Sequence, residues 1–201
     1  SFQGSIYLLP APAIVDNIKI KEAIKSDGHI SSILEMQKQC SLAIVGIGQV
    51  SEKSTLVMSN YLKEEDLKRL KSDGAVGEVV GRFVDENGQI CKTSVNDRVL
   101  GIEIDSLKEI PCVVAIASGE EKGKSIKAVL KTGSIDVLIT DIEMPYMNGE
   151  ELARNVRQQY PNVSIIYLTA HDDFNYAKKG IEMGINQYVL KPIVKDELIQ
   201  A

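Results

Sequence analysis

The sequence predicts an α/β protein: a doubly wound, mostly parallel sheet of Rossmann-like or flavodoxin-like type, with a small antiparallel hairpin excursion around residues 77–104. Three observations lead there. Short apolar runs that suit buried strands alternate with amphipathic runs at helical spacing along most of the chain. Several strand-like runs end in small or polar residues where a helix is due to start, as in "AIVGIGQ", "VVAIASGEEK" and "VLITD", and open α/β sheets place their chemistry at such ends. One stretch, "GEVVGRFVDENGQICKTSV", interrupts the alternation with a hairpin signature. The repeated strand–helix alternation implies helices on both faces of the sheet.

In chain order, "SIYLLPAPA" reads as a short strand over residues 6–9, which Pro10 and Pro12 turn into an extended exit. "NIKIKEAIKS" has near-helical spacing, with Asp27-Gly28 as its stop. "SSILEMQKQC" sets Ile33, Leu34 and Met36 on one side, with Ser31 or Ser32 as N-cap. "SLAIVGIG" is a second buried strand. "KEEDLKRLKSDG" is a charged helix with Leu67 and Leu70 inward and Gly74 just past its end. The hairpin follows, with Asp85-Glu86-Asn87-Gly88 as its expected turn. "PCVVAIASGEEKGKSIKAVLKTG" returns to strand, loop and helix, ended by Gly133. "IDVLITD" is a strand and "GEELARNVRQQY" a helix with Leu152 and Val156 one turn apart. "VSIIYLTA" is a strand, "DFNYAKKGIEMG" a helix closed by Gly184, "NQYVLKP" a strand and "VKDELIQA" the start of a helix.

At 201 residues the chain fits one large domain or two small ones, and 44% hydrophobic with 25% charged residues is ordinary soluble globular composition. A net charge of −5 without a basic block argues against a nucleic-acid surface on this chain. The three cysteines, Cys40, Cys91 and Cys112, are far apart and lack metal-ligand spacing, which points to a reducing cytoplasm. There is no 18-residue apolar run and no signal peptide, so no membrane partner is expected. An apolar run almost at the start suggests a fragment whose natural N-terminus lies upstream.

Candidate chemistry collects at the strand ends. Gly46 and Gly48 in "VGIGQ" let backbone N–H groups approach an anion, although two glycines equally suit a tight strand-to-loop turn. Ser118, Gly119 and Lys122 offer a small loop, a helix N-terminus and an ammonium for a phosphate, while Glu120 and Glu121 suit the first turn of a helix. Asn96, Asp97 and Arg98 in "NDRVLG" read either as holders of sugar hydroxyls and phosphate or as a surface ion pair. His29 and His171 have no ligand partner at helical spacing, and there is no GxSxG or P-loop, so no enzyme active site is expected. Asp141, Thr169 and Lys191 fall at three successive strand ends, which lie on one rim of a parallel sheet. A carboxylate, a hydroxyl and an ammonium around one phosphoryl group make a phosphoacceptor site.

From about residue 135 to 201 the chain resembles the second half of a response-regulator receiver domain, on "DVLITDIEMPYMNGEELARNVRQ" and "VSIIYLTAHDDFNYAKKGIEMGINQYVLKP". The resemblance implies Asp141 as phosphoacceptor and weak metal ligand, Thr169 as switch hydroxyl, Tyr188 as switch aromatic, Lys191 as phosphate-binding lysine, and a cis peptide before Pro192. It also implies Mg²⁺ and a histidine kinase if the site works. The acidic pair that receivers carry after their first strand is not found upstream of Asp141.

Residues 6 to 141 resemble instead the effector-binding domain of SorC-type sugar-responsive transcriptional regulators, on "YLLPAPAIVDN", "AIVGIGQ", "STL", "GAVGEVVGRFVDENG", "NDRVLGI" and "VVAIASGEEKGKSIKAVLKTGSIDVLITD". That resemblance implies a phosphorylated sugar as ligand and Gly46, Gly48, Arg82, Asp97, Gly119 and Lys122 as pocket residues. The family's earlier strand with its glycine-rich loop, and its helix-turn-helix domain, are not in the sequence. The two resemblances meet at "IDVLITD". The chain therefore reads as a partial effector domain (1–134) and a partial receiver (135–201) sharing one sheet: an engineered chimera, a natural recombinant or a truncated product. Three functions follow: a non-enzymatic sugar-phosphate-binding module, a phosphorelay receiver phosphorylated on Asp141, or a folded but inert recombinant. A homo-oligomer would cover the sheet edge left by the missing strands.

Overall fold

The computed structural model describes residues 4–118, 122–141, 143–144, 147–169 and 187–194. Asn17 opens the first helix, α1 (Ile18–Lys25), its side-chain oxygen accepting from the Ile20 N–H. Ser26 closes that helix, and Asp27 starts the next, α2 (Gly28–Gln37), its carboxylate accepting from the N–H groups of His29 and Ile30. The expected stop is thus a cap, and Ser31 and Ser32 lie inside α2 rather than at its start. The expected strand over residues 6–9 does not form: Ile6, Tyr7 and Leu8 are exposed. Apolar composition makes a strand only where a neighbour takes up its backbone groups, and among the described residues none pairs with this segment in a ladder.

The chain continues through β1 (Ala43–Gln49), α3 (Thr55–Met58), α4 (Glu64–Ser72), β2 (Ala75–Val79), β3 (Arg82–Asp85), α5 (Ser94–Arg98), α6 (Ile104–Leu107), β4 (Val113–Ala117), α7 (Gly123–Leu130) and β5 (Val137–Asp141). Then come a two-residue pair, β6 (Glu143–Met144) and β7 (Met147–Asn148), α8 (Gly149–Gln159), β8 (Ser164–Thr169) and β9 (Gln187–Leu190). Seven strands form one sheet in the order β3-β2-β1-β4-β5-β8-β9. The last five of that order are parallel, and β2 and β3 add an antiparallel ribbon at one edge. The architecture is the expected mostly parallel α/β sheet with a hairpin excursion. Among the described residues no helix is long and apolar enough to cross a membrane.

The expected turn at Asp85–Gly88 forms, and an additional one precedes it. Val80 (φ 51°) and Gly81 (φ 80°) both adopt positive φ, the pattern of a type I′ turn. A valine at such a position is costly, and the Gly81 N–H donates to the Glu78 carboxylate at 2.5 Å across the turn. Asp85–Gly88 makes a second turn, in which the Asp85 carboxylate accepts from the N–H groups of Asn87 and Gln89. It brings Ile90 back to bridge Val84.

Side chains alternate between the two faces of the sheet. Val45, Ile47, Val113, Ala115, Ala117, Leu138, Ile165 and Tyr167 share one core with Ile104 and Leu107 of α6, Ile126 and Val129 of α7, and Leu152 and Val156 of α8. Ile166, Leu168 and Val189 form a separate small cluster, flanked by Val137 and Ile139. They alternate with the core residues, as do Ile44 and Ile116, which are 66% and 40% exposed. Helices pack on both faces, as expected: α4 and α5 lie against Ala75 and Phe83 of the ribbon on one face, while α6, α7 and α8 share the other. The physical reason is strand order: β1, β4, β5, β8 and β9 follow one another without reversal, so each right-handed crossover returns its helix to the same side.

Candidate functional site

The carboxyl end of β1 opens into a cavity of about 370 Å³ lined by Gly46, Gly48, Gln49, Lys53, Ser54, Thr55, Glu78, Ile116 and Lys122 among others. Strand pairing explains the convergence. Gly48 lies opposite Glu78 on β2, and Gly46 opposite Ile116 on β4. Gly48 is needed for space, because a Cβ there would run into the Glu78 carboxylate. Lys122, immediately before α7, reaches back so that its Nζ donates to the Ile47 carbonyl at 2.9 Å. Burial pushes the Lys122 amine below the ordinary lysine range, and the carboxylates of Glu78 and Asp141 oppose that shift. Burial likewise pushes Glu78 above the ordinary carboxylate range, opposed by the Gly81 N–H and by Lys122. A partly desolvated ammonium and a partly desolvated carboxylate face one small cavity, the first able to hold an anion, the second to accept from hydroxyls.

The sign of the Glu78 shift makes a prediction. A carboxyl whose folded pKa is raised contributes most to stability when protonated, below its unfolded value, and that contribution is lost as pH rises through the folded value. Glu78→Gln is therefore expected to raise the melting temperature at pH 7 and to lose that advantage near pH 4, in melts across that range. A variant less stable at pH 7 than at pH 4, relative to the parent, would contradict the assigned cause.

The other pocket residues expected from sequence are dispersed. Arg82 is 3% exposed and does not line this cavity. Its guanidinium donates to the Asn96 carbonyl at 2.8 Å and to Glu103 at 2.5 Å, tying β3 to α5 and to the segment before α6. Asp97 lines a different cavity, of about 700 Å³, with Asp16, Tyr61, Arg69 and Arg98. Arg98 there pairs with Asp66 at 2.7 Å, an ion pair between elements rather than a sugar clamp. Gly119 lies outside the described residues, as do Glu120, Glu121 and His171. The residues that sequence reasoning missed are Glu78, Lys53, Ser54 and Thr55. A single glutamate inside the apolar run "GAVGEVVG" was the available signal for the first.

At the next rim position, β5, β8 and β9 stand side by side and present Asp141, Thr169 and Lys191. Lys191 Nζ meets Asp141 Oδ1 at 2.5 Å. Ser118, which follows β4, donates its hydroxyl to Asp141 Oδ2 at 2.7 Å. Thr169 is buried, and its carbonyl accepts from the Lys191 N–H at 2.7 Å. Tyr188 is half-exposed on β9, and the Lys191-Pro192 peptide is cis. The strand beside β5 is β4, so the place next to the carboxylate is taken by Ser118. Among the described residues no group of three acidic, histidine or cysteine side chains gathers to hold a metal. The described contacts of Asp141 are an ammonium on one carboxylate oxygen and a hydroxyl on the other.

Comparison with known proteins follows the same division. The family described as "Putative sugar-binding domain" matches residues 1–144, and the response regulator receiver domain family matches residues 106–201, so the two overlap across β4, α7 and β5. A deoxyribonucleoside regulator of Bacillus subtilis is 36% identical over 70% of this chain and 45% of its own. The erythritol catabolism regulatory protein EryD of Brucella abortus is 30% identical over 67% of this chain and 42% of its own. A DeoR family transcriptional regulator from Listeria monocytogenes superposes with a TM-score of 0.64 at 36% identity, covering 67% of this chain and 55% of that one. The full-length sorbitol operon regulator SorC of Klebsiella pneumoniae gives 0.60 at 26% identity, over 70% and 45%. The chain spans less than half the length of the curated relatives it matches. It belongs to the sugar-binding domain family of SorC- and DeoR-type transcriptional regulators, and carries a receiver-domain match over its C-terminal part.

Proposed function

We propose that the chain is a non-enzymatic regulatory module whose cavity at the end of β1 binds a phosphorylated sugar. The observation that carries this is that Lys122 and Glu78 both line one cavity of about 370 Å³, with Gly48 beside Glu78. Lys122, with Lys53 also lining the cavity, supplies positive charge for a phosphate. Ser54 and Thr55 add hydroxyl donors, and Glu78 accepts from sugar hydroxyls. The printed names of the relatives, regulators linked to deoxyribonucleosides, erythritol and sorbitol, support a small polyhydroxylated ligand. The module works in the cytoplasm as part of a homo-oligomer, and DNA contact is left to another part of the regulator. Melts with and without a panel of phosphosugars test this, because a ligand that prefers the native state raises stability by about 2.7 kcal/mol at 100 times its Kd. One panel member is expected to raise the melting temperature. A cooperative melt that none of them moves would sink the reading.

The contact of Lys191 with Asp141 favours a second reading, phosphorylation of Asp141 by a histidine kinase. Its weakness is electrostatic: without the acidic pair that receivers carry after their first strand, the incoming phosphoryl oxygens lose much of the charge stabilisation that such transfers depend on. Intact-mass analysis after acetyl phosphate and Mg²⁺ is therefore expected to show an unmodified chain under conditions that label a receiver domain. A one-phosphoryl mass gain abolished by Asp141→Asn would establish the phosphoacceptor instead.

A further inference from the structure

We infer that Val80 and Gly81 are positioning residues of the cavity at the end of β1: their left-handed turn aims the Gly81 N–H at Glu78 and so holds that carboxylate against Gly48, on the cavity wall. What this does for a ligand rests on the proposed function. The hold itself does not.

Three observations carry it. The first is strain. Val80 has φ 51° and Gly81 φ 80°, and a β-branched residue is an outlier in that region. The other non-glycine with positive φ among the described residues, Asn60, is of a type that tolerates it and stands just past the end of α3. Strained residues persist where their surroundings over-determine them, and they gather at ligand sites. Val80 both lines the cavity and packs on the core of the sheet. The second observation is the bond. Val79 and Arg82 pair across the turn, so the ladder leaves the Gly81 N–H to a side chain, and it donates to Glu78 Oε1 at 2.5 Å. The third is fit. Glu78 Oε2 fills the place that a Cβ on Gly48 would take. One carboxylate oxygen is thus fixed by the turn while the other lies against β1. Position 81 also needs glycine, because a Cβ there would stand 3.1 Å from Val99 Cγ1 at a positive φ. Burial disfavours the ionised form of Glu78 most, and the Gly81 N–H opposes that ahead of Lys122. The remaining charged group that lines the cavity is Lys53. A carboxylate already held in place accepts from a ligand hydroxyl without first being ordered.

The test is an NMR titration of the full chain without ligand, following the Glu78 carboxyl carbon and the Gly81 amide from about pH 4 to 8. In the parent, the Gly81 amide is expected to shift with the midpoint of the Glu78 carboxyl, and Glu78→Gln to abolish that shift. Gly81→Ala and Val80→Pro disfavour the left-handed turn. They are expected to let the carboxylate turn out to water, so that its midpoint falls toward the ordinary carboxylate range. Val80→Asn accepts the turn and is expected to keep the parent midpoint. A turn that only stabilised the fold would lower the melting temperature of the first two variants and leave the Glu78 midpoint of the folded protein where it was. That result overturns the inference, as does a Gly81 amide that does not follow Glu78 in the parent, which decides the matter even if both turn variants fail to fold. Calorimetry with ribose 5-phosphate and inorganic phosphate addresses the ligand. The turn variants are expected to weaken the phosphosugar severalfold, and more than phosphate, which Lys122 attracts by charge. A Gly81 amide that follows Glu78 in a parent that binds neither probe keeps the hold and removes the effector function.

Discussion

Lys122→Met is expected to weaken binding of a phosphosugar about 10- to 100-fold, because a hydrogen bond to a charged group contributes about 1.5–3 kcal/mol and every 1.4 kcal/mol is tenfold in affinity. The amine is partly withdrawn from water, so its field on a bound anion is less screened than that of a surface lysine. Methionine keeps the length and apolar stem of the side chain, which limits the change to the charge and to the bond with the Ile47 carbonyl. The free variant is expected to melt near the parent temperature, since the lost bond is offset by relief from burying a cation. The pH dependence has a definite sign. Burial lowers the folded pKa of Lys122, so binding weakens as pH rises through that lowered value, earlier than an ordinary lysine would allow. Calorimetric titrations of parent and variant at two pH values measure both effects. An affinity untouched by the substitution would move the anion elsewhere, with the larger cavity beside Arg69 and Arg98 as the place to look.

The strand ends that carry this chemistry were legible because buried strands advertise themselves. "AIVGIGQ", "VVAIA" and "VLITD" are apolar runs that stop at small or polar residues, and each forms a parallel strand with its terminal residues on the rim. Lys122, Gly46 and Gly48 reach one cavity for that reason. Two features were not legible. Glu78 stands on the antiparallel ribbon, and which face of β2 meets Gly48 depends on a register set by the Val80-Gly81 turn. That turn went unmarked because Asn87-Gly88 is the stronger local signal, and it does form the second turn, while the pairing of β2 with β3 overrides the poor propensity of Val80. That α6, α7 and α8 share one face was also hidden. Alternating strands and helices fix that crossovers exist, but only strand order decides whether successive crossovers return to one side, and order is a tertiary property. Arg82 and Asp97 were assigned to the pocket by the resemblance to the effector-binding family. Burial and partners place the first in a structural bond network and the second at another cavity.

That network carries the largest stability effect in the molecule outside the apolar core. Asn96→Ala is expected to cost roughly 3 kcal/mol, at about 1 kcal/mol for each buried hydrogen bond removed. Asn96 is 5% exposed. Its Oδ1 accepts from the Phe83 N–H at 2.8 Å, and its Nδ2 donates to the carbonyls of Phe83 at 3.0 Å and Cys91 at 2.7 Å. One side chain thus bonds backbone groups on β3 and on the segment leaving the second turn. Alanine removes all three bonds in a place the surrounding apolar residues Phe83, Cys91, Val95 and Val99 keep dry: the Phe83 N–H loses its partner, while the carbonyls of Phe83 and Cys91 keep the N–H groups of Cys91 and Thr93. For a domain of this size about 3 kcal/mol lowers the melting temperature by roughly 6–12 °C, a shift that denaturant and thermal melts both resolve. Asn96→Asp separates bonding from shape: it keeps the outline and the acceptor, loses both donors, and buries a charge, so it is expected to be no better than alanine at pH 7. Ligand affinity in the folded fraction is expected to stay at the parent value, because Asn96 lies outside the cavity at the end of β1. A loss below about 1 kcal/mol would mean that water enters and satisfies the freed groups, and that β3 is held by its pairing with β2 alone. A loss of affinity with stability preserved would return "NDR" to the role its residue types first suggested, a part of the ligand site.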